Sequence, residues 1–258
     1  MQLTQACLET SSLPESILNY LQDAVVLDSS CSERARTFCI RGKESYFLKI
    51  DHATLLDREQ ALLKWLYPYG FAPVVVEYEV WGELGYLLTR ALPGEDGISP
   101  GHLKQPEKLA ILMGESLARL HALPILDCPY PERNMELLAE AEDNIRKGIM
   151  DSGIIGSSFQ EAASRFYQLR SLPLERVYIH GDFCLPNIII RDWQLSGFVD
   201  LGTGGVADPH YDLFWGIWTL KYNLKTPAFG DIFLEAYGKS RVDNDRLELC
   251  ALIAAFTL

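Results

Sequence analysis

Three polar residues in the segment Val177 to Asp212, VYIHGDFCLPNIIIRDWQLSGFVDLGTGGVADPHYD, have types and spacing suited to chemistry: Asp182, Asn187 after four intervening residues, and Asp200. Two carboxylates and an amide suit a hard, oxygen-seeking cation such as Mg²⁺, which takes one or two carboxylates and completes its octahedron with phosphate oxygens and water. A metal held in that way serves phosphoryl transfer, where catalysis is mostly positioning and charge neutralisation. The competing reading is that each acid caps a turn. That is the commoner fate of a lone Asp, but it explains three polar residues at this spacing poorly.

Short elements must hold these groups. Val177-Tyr178-Ile179, Ile188-Ile189-Ile190 and Leu195 to Val199 are rich in β-branched and aromatic residues and read as strands, with Trp193-Gln194 and their neighbours as a hairpin turn. Such a hairpin would gather Asp182, Asn187 and Asp200 at one end. An Asp-x-x-x-x-Asn run followed by an Asp leaving a strand is the order used by kinase-type enzymes. There, one Asp lies by the incoming hydroxyl while the Asn and the later Asp hold the metals.

His180-Gly181-Asp182, Asn187, Ser196-Gly197-Phe198-Val199-Asp200-Leu201-Gly202, Ala207-Asp208 and Tyr211-Asp212 together resemble the catalytic region of the aminoglycoside phosphotransferases, most closely the 3'-phosphotransferases or kanamycin kinases. The resemblance implies an α+β, bilobal protein-kinase-like fold, with an N-terminal antiparallel sheet lobe and a mainly helical C-terminal lobe. It implies transfer of the γ-phosphoryl group of ATP, or GTP, with Mg²⁺, to a hydroxyl of a small molecule, foremost the 3'-hydroxyl of an aminoglycoside. Under it Asp182 orients the acceptor hydroxyl, and Asn187 and Asp200 ligate Mg²⁺. Asp212 braces the loop from a helix start and His180 fixes it.

Upstream, residues 23–29, 36–41 and 45–50 read as strands, the last two joined through Gly42-Lys43-Glu44. In the third, Tyr46, Leu48 and Ile50 share one face and leave Phe47 and Lys49 on the other. A strand Lys is ordinarily a solvated edge residue. The next helix, 55–67, changes that reading, because Glu59 falls in an apolar stripe with Leu55, Leu62, Leu63 and Leu66. A carboxylate facing a core needs a partner, and Lys49 is the natural one, in the manner of a kinase Lys–Glu pair orienting nucleotide phosphates. The resemblance extends to YFLKI and REQALLKWL and gives Phe47 the task of stacking on adenine. Between the first two strands, Asp28 to Glu33 contains no glycine. There Ser29, Ser30 and Ser32 either donate to phosphate or form a plain turn.

Residues 74–80 and 84–90 form another hairpin, and Ala91 to Gly97 is the strongest break in the chain. It divides a nucleotide-binding lobe, 1–90, from a catalytic and substrate-binding lobe, 98–258, with 91–97 as hinge. In a kinase-like layout the backbone around Thr89 to Ala91 meets the base edge; the alternative is a surface loop. A short helix is expected after Ser12, with Pro14 in its first turn. Later helices are expected over 106–122, 135–149, 157–170, 209–223, 228–238 and 243–256, with His121 on a packing face or cap. Strands first and helices afterwards argue against a βαβ parallel sheet.

With 258 residues and 48% hydrophobic content the chain can bury a sizeable core. Its 23 basic and 35 acidic residues give a formal net charge of −12, which opposes nucleic acid and anionic lipid and favours a cationic small molecule. The six cysteines lack disulfide or zinc spacing, and no leader-like or membrane-spanning run is present. The expectation is a cytoplasmic monomer or weak dimer. Cys184 is rejected as a nucleophile because no His pairs with it in the sequence.

Substrate recognition is less determined. Asp127 to Glu161 carries eight acidic and three basic residues where the family grips ammonium groups; Asp151 and Glu161 are candidates, against a solvated helix face. The family's acidic C-terminal tail has no counterpart after Glu248, and Thr203 and Val206 stand where many kanamycin kinases carry Arg. A kinase for another antibiotic or a metabolite alcohol is therefore the second reading. A catalytically dead nucleotide-binding module is a third, opposed by the presence of Lys49, Asp182, Asn187 and Asp200.

Overall fold

The computed structural model describes residues 4–6, 8, 13–30 and 35–257, so the expected Ser12 cap and Ser32 lie outside the described residues. The chain divides into two compact units. One runs up to Pro93 and includes Ser196–Gly202; the other comprises Gly94–Leu195 and the chain from Thr203 onward.

The first unit contains β1 (Thr4–Gln5), α1 (Glu15–Leu18), β2 (Val25–Asp28), β3 (Arg36–Arg41), β4 (Ser45–His52), α2 (Ala53–Leu66), β5 (Val75–Trp81) and β6 (Leu84–Arg90). Its strands form an antiparallel sheet in the order β1-β2-β3-β4-β6-β5. The period-2 pattern does the sorting. Leu48 and Ile50 of β4 join Phe38, Ile40, Tyr86, Leu88 and Ile17 in one core, while Lys49, opposite Thr37 and Leu87, takes the other face. In α2 the buried stripe is Leu56, Glu59, Leu62, Leu63 and Leu66. This corrects the expectation for Leu55, which is 39% exposed where Leu56 is 1% exposed. The helix starts two residues earlier than its apolar residues suggest, and Leu56 and Leu63 stand seven apart on one face.

The second unit holds β7 (Glu95–Asp96), α3 (Pro100–Leu103), α4 (Pro106–His121), α5 (Arg133–Lys147), α6 (Ser152–Ile155), α7 (Phe159–Leu169), β8 (Val177–Ile179), β9 (Ile188–Arg191), the start of β10 (Gln194–Phe198), β11 (Gly205–Ala207), α8 (His210–Leu224), α9 (Gly230–Tyr237) and α10 (Asn244–Phe256). β8 pairs antiparallel with β11, and β9 with β7. The turn into β10 is made by Asp192 and Trp193, both at positive φ, as a tight two-residue hairpin requires. From Leu249 to Phe256 α10 is apolar around its circumference and largely buried. α4 and α9 approach so closely that a Cβ on Gly114 would lie 2.4 Å from the Phe233 carbonyl oxygen. Strands concentrated ahead of helices give the α+β class.

No helix of the described residues is long and apolar enough to cross a membrane. The burial difference in α2 has a measurable consequence. Leu56→Ala should cost about 2–5 kcal/mol by denaturant unfolding, whereas Leu55→Ala should stay within about 0.5 kcal/mol of wild type. Equal losses would contradict this helix register.

Candidate active site

Most of the residues singled out above fall into two sets, one in each unit. In the first unit, Lys49 leaves β4 and Glu59 leaves the buried face of α2. Lys49 Nζ lies 2.8 Å from Glu59 Oε2 and also contacts Asp200 Oδ1. Burial pulls the Lys49 ammonium toward its neutral form, but the charges of Glu59 and Asp200 outweigh it and raise its pKa above the ordinary lysine value. Burial holds the Glu59 carboxyl above its usual range against the opposing pull of Lys49. Asp200, just past β10, adopts a left-handed φ of 60° and keeps a side chain 52% exposed. The following chain runs close to the pair: a Cβ on Gly202 would sit 3.4 Å from Glu59 Cβ.

Phe47 lies on the Lys49 face of β4, and its carbonyl accepts from the Thr89 hydroxyl at 3.5 Å. The Ser29 and Ser30 hydroxyls donate to the Thr37 carbonyl at 3.1 and 3.4 Å, and Ser30 Oγ accepts the Thr37 N–H at 3.0 Å. These bonds close the mouth of the β2–β3 connection, so a phosphate would have to compete with them. The base-edge expectation narrows as well. The Ala91 N–H donates to the Ser45 carbonyl at 2.9 Å and is already part of the strand ladder.

In the second unit, the loop from His180 to Asn187 follows β8. The Asn187 amide nitrogen donates to Asp182 Oδ2 at 2.8 Å and to the Asp182 carbonyl at 3.0 Å. The other oxygen of each side chain is thereby left for a different partner. His180 Nδ1 accepts the Asp182 N–H at 3.2 Å. Asp212, fully buried in the first turn of α8, accepts the His180 N–H on Oδ2 at 2.6 Å and the Gly181 N–H on Oδ1 at 2.9 Å. Gly181 is required here: its φ is 85°, and a Cβ would lie 2.4 Å from the Thr203 carbonyl oxygen. Further along the loop, the Leu185 N–H donates to Thr219 Oγ1 at 3.1 Å. Burial, then the charge of Asp182, push the Cys184 thiol far up, so no thiolate forms there.

Asp151 and Glu161 have cap roles. Asp151 accepts the Gly153 N–H at 2.7 Å at the start of α6, and Glu161 closes a capping box with Ser158 at the start of α7. Helix capping accounts for both acids without a substrate.

Further residues support the site through contacts that their positions in the sequence did not show. His121, at the end of α4, places Nε2 3.2 Å from Asp212 Oδ2 and Nδ1 2.9 Å from the Tyr237 hydroxyl. Arg133 Nε donates to the Thr203 carbonyl at 3.0 Å, and Val206 is buried in β11 opposite Tyr178. Asp208 accepts the Glu175 N–H at 2.8 Å and the His210 N–H at 3.0 Å, and its Oδ1 lies 2.6 Å from His210 Nδ1. Because His210 Nε2 accepts the Asp243 N–H at 2.8 Å, we assign the ring proton to Nδ1, donating to Asp208. The Ala207-Asp208 pair gave the one sequence signal for this hub.

A sheet unit bearing a strand Lys paired with a helix Glu, and a mainly helical unit bearing an Asp-x-x-x-x-Asn loop, make up the protein-kinase-like arrangement of phosphotransferases. The chain belongs to the phosphotransferase enzyme family, whose model matches residues 28–251. It is 32% identical over 258 residues to a probable aminoglycoside 3'-phosphotransferase of Lactococcus lactis, covering 98% of each chain. It is also 32% identical over 209 residues to an aminoglycoside 3'-phosphotransferase of Niallia circulans, covering 78% of this chain and 79% of that protein. Two solved structures share the fold. A type VIII aminoglycoside-3'-phosphotransferase matches at TM-score 0.76 and 24% identity over 91% of this chain and 94% of that one. A Streptomyces rimosus aminoglycoside phosphotransferase, in complex with ADP and streptomycin, matches at TM-score 0.68 and 24% identity over 86% and 90%.

The Asp208 hub has a pH signature. Burial alone would raise the Asp208 pKa, but the His210 ring and the His210 and Glu175 N–H groups outweigh it and hold the value below the ordinary carboxylate range. A folded-state pKa depressed in this way stabilises the protein above the unfolded value, about 3.9, and the contribution is lost as pH falls through the folded value. Asp208→Asn should therefore be about 1.5–3 kcal/mol less stable than wild type at pH 7. The difference should shrink below about pH 4, and a gap that stayed constant into acid would rule this account out.

Proposed function

We propose that this phosphotransferase moves the γ-phosphoryl group of ATP to the 3'-hydroxyl of an aminoglycoside antibiotic in the cytoplasm, with Mg²⁺. The observation that carries the nucleotide half is the Lys49–Glu59 pair beside Asp200: a buried carboxylate holds an ammonium that stays charged, as phosphate orientation demands. The acceptor half rests on the curated relatives, both 32% identical and both described as 3'-phosphotransferases.

Each residue has a task in this reading. Lys49, kept in place by Glu59, binds nucleotide phosphate, and Phe47 supports the adenine. Asp182 uses the carboxylate oxygen not bonded to Asn187 to accept the acceptor hydroxyl's hydrogen, orienting that oxygen toward the transferring phosphorus. The Oδ1 of Asn187 in the second unit and the exposed carboxylate of Asp200 in the first are each hard oxygen donors of the kind Mg²⁺ takes, and phosphate and water would complete the shell of an ion held by either. Among the described residues no three His, Cys, Asp or Glu side chains cluster as ligands, so such a site depends on that completion. Bound there, Mg²⁺ would neutralise the phosphate charge that develops during transfer. Asp212 and His180 keep the loop in shape.

The second reading, an acceptor outside the aminoglycosides, draws on the two candidate substrate acids: Asp151 and Glu161 both act as helix caps. Mg²⁺-dependent ADP release decides between the two. Kanamycin should be turned over and its 3'-deoxy analogue should not, and Asp182→Asn should cut turnover by about 10²–10⁴-fold. Turnover of the 3'-deoxy compound would refute the regiochemistry, and silence on every aminoglycoside would favour another acceptor. Glu59→Gln should raise KM for ATP more than KM for the acceptor; the reverse would detach Lys49 from the nucleotide.

A further inference from the structure

The close approach of α4 and α9, which Gly114 permits, brings the last residues of both helices together. The rings of His121 and Tyr237 meet edge to face, with centroids 5.5 Å apart. Both Asp212 oxygens already accept backbone N–H groups from the loop, so Nε2 of His121 serves as the proton donor to Oδ2. Nδ1 then accepts from the Tyr237 hydroxyl, 2.9 Å away. Burial, then the Asp212 charge, keep that phenol protonated and able to donate.

We infer that Tyr237 and His121 are a positioning pair for phosphoryl transfer: the Tyr237 hydroxyl orients the His121 ring, and His121 holds the Asp212 carboxylate against the N–H groups of His180 and Gly181. The inference rests on the reading that Asp182 orients the acceptor hydroxyl. Its physical basis is the lever it describes. Asp182 is the next residue after Gly181, so a carboxylate that swings away from the two N–H groups releases the backbone on which the Asp182 side chain stands. Without His121, the fully buried Asp212 Oδ2 would lose that side-chain donor and be left with the His180 N–H. The pair reaches the loop through Asp212 alone, and its effect should appear in the transfer step and not in binding.

A cavity of about 90 Å³ lies directly behind the pair, lined by His121, Tyr237, Ala118, Pro209, Glu175 and Arg241 among others. Removing the His121 ring would join its volume to this space and admit free imidazole.

The test compares His121→Ala, His121→Gln and Tyr237→Phe with wild type. His121→Ala should lower kcat by about 10²-fold, as a misplacement near 1 Å can, with KM for ATP and for the aminoglycoside little changed. Added imidazole should restore much of the loss in His121→Ala and nothing in wild type. His121→Gln, which keeps an N–H donor, should fall between the two, and Tyr237→Phe should show a smaller fall in kcat alone. Amide hydrogen exchange supplies a readout independent of turnover: the His180 and Gly181 N–H groups should exchange faster in His121→Ala while the α10 amides stay protected. Unchanged exchange at these two amides in a folded His121→Ala variant would overturn the inference, as would a kcat loss that neither imidazole nor Gln repairs. If wild type turned over no aminoglycoside, the acceptor reading would fail, and the exchange result would still decide the positioning pair.

Discussion

A carboxylate enclosed by apolar side chains has to be met by donors, and the way this chain satisfies Asp212 determines much of the second unit. The acid lies in the first turn of α8 with no exposed surface, yet both oxygens are occupied by N–H groups from a loop some thirty residues earlier in the chain. That demand ties the start of α8 to the end of β8, forces a glycine at position 181, and draws the end of α4 inward through His121. The same rule operates at Asp208, which draws in the Glu175 N–H and the start of α8, and at Glu59 in the first unit. Each of these three acids is paired, and at Asp212 and Asp208 the pairing joins elements distant in sequence.

Where such an acid interrupts a regular apolar pattern, the sequence exposes it. Glu59 was legible because it breaks a leucine stripe, and Lys49 because a strand alternation put it opposite the core face. The Asp182–Asn187 spacing was legible for a related reason: two polar residues separated by four cannot both be accidental turn caps as easily as one can. The helices of the second unit were also readable, since long amphipathic segments repeat their signal over several turns.

What stayed hidden was tertiary or very short. β1, β7, β11, α3 and α6 have two to four residues each, too few for a period to show. Leu55 and Leu56 are both apolar, and only the actual start of α2 decides which one faces inward. Asp151 and Glu161 share their types with substrate-binding acids and with helix caps; the neighbouring Gly153 and Ser158 N–H groups, not the residue type, distinguish the two. His121 and Tyr237 are 116 positions apart, and their contact depends on Gly114 allowing two helices to close on each other. A glycine inside a helix is ordinarily a cost of about 1 kcal/mol; here it permits a contact that no local pattern could reveal.

The choice of an amide at position 187 follows from the same electrostatics. An oxygen ligand could be supplied by Asp or Asn, but Asp182 lies 2.8 Å away, and two carboxylates at that distance repel unless they share a proton. The amide removes the conflict, because its nitrogen donates to Asp182 while its oxygen remains an acceptor. At Lys49 the charges run the other way, with one ammonium between two carboxylates, so that one of them, Asp200, can be drawn toward another cation without leaving the lysine unpaired. Glu59 makes this possible by staying buried. One partner lies inside and the other at the surface, so Lys49 keeps a buried counter-charge independent of Asp200.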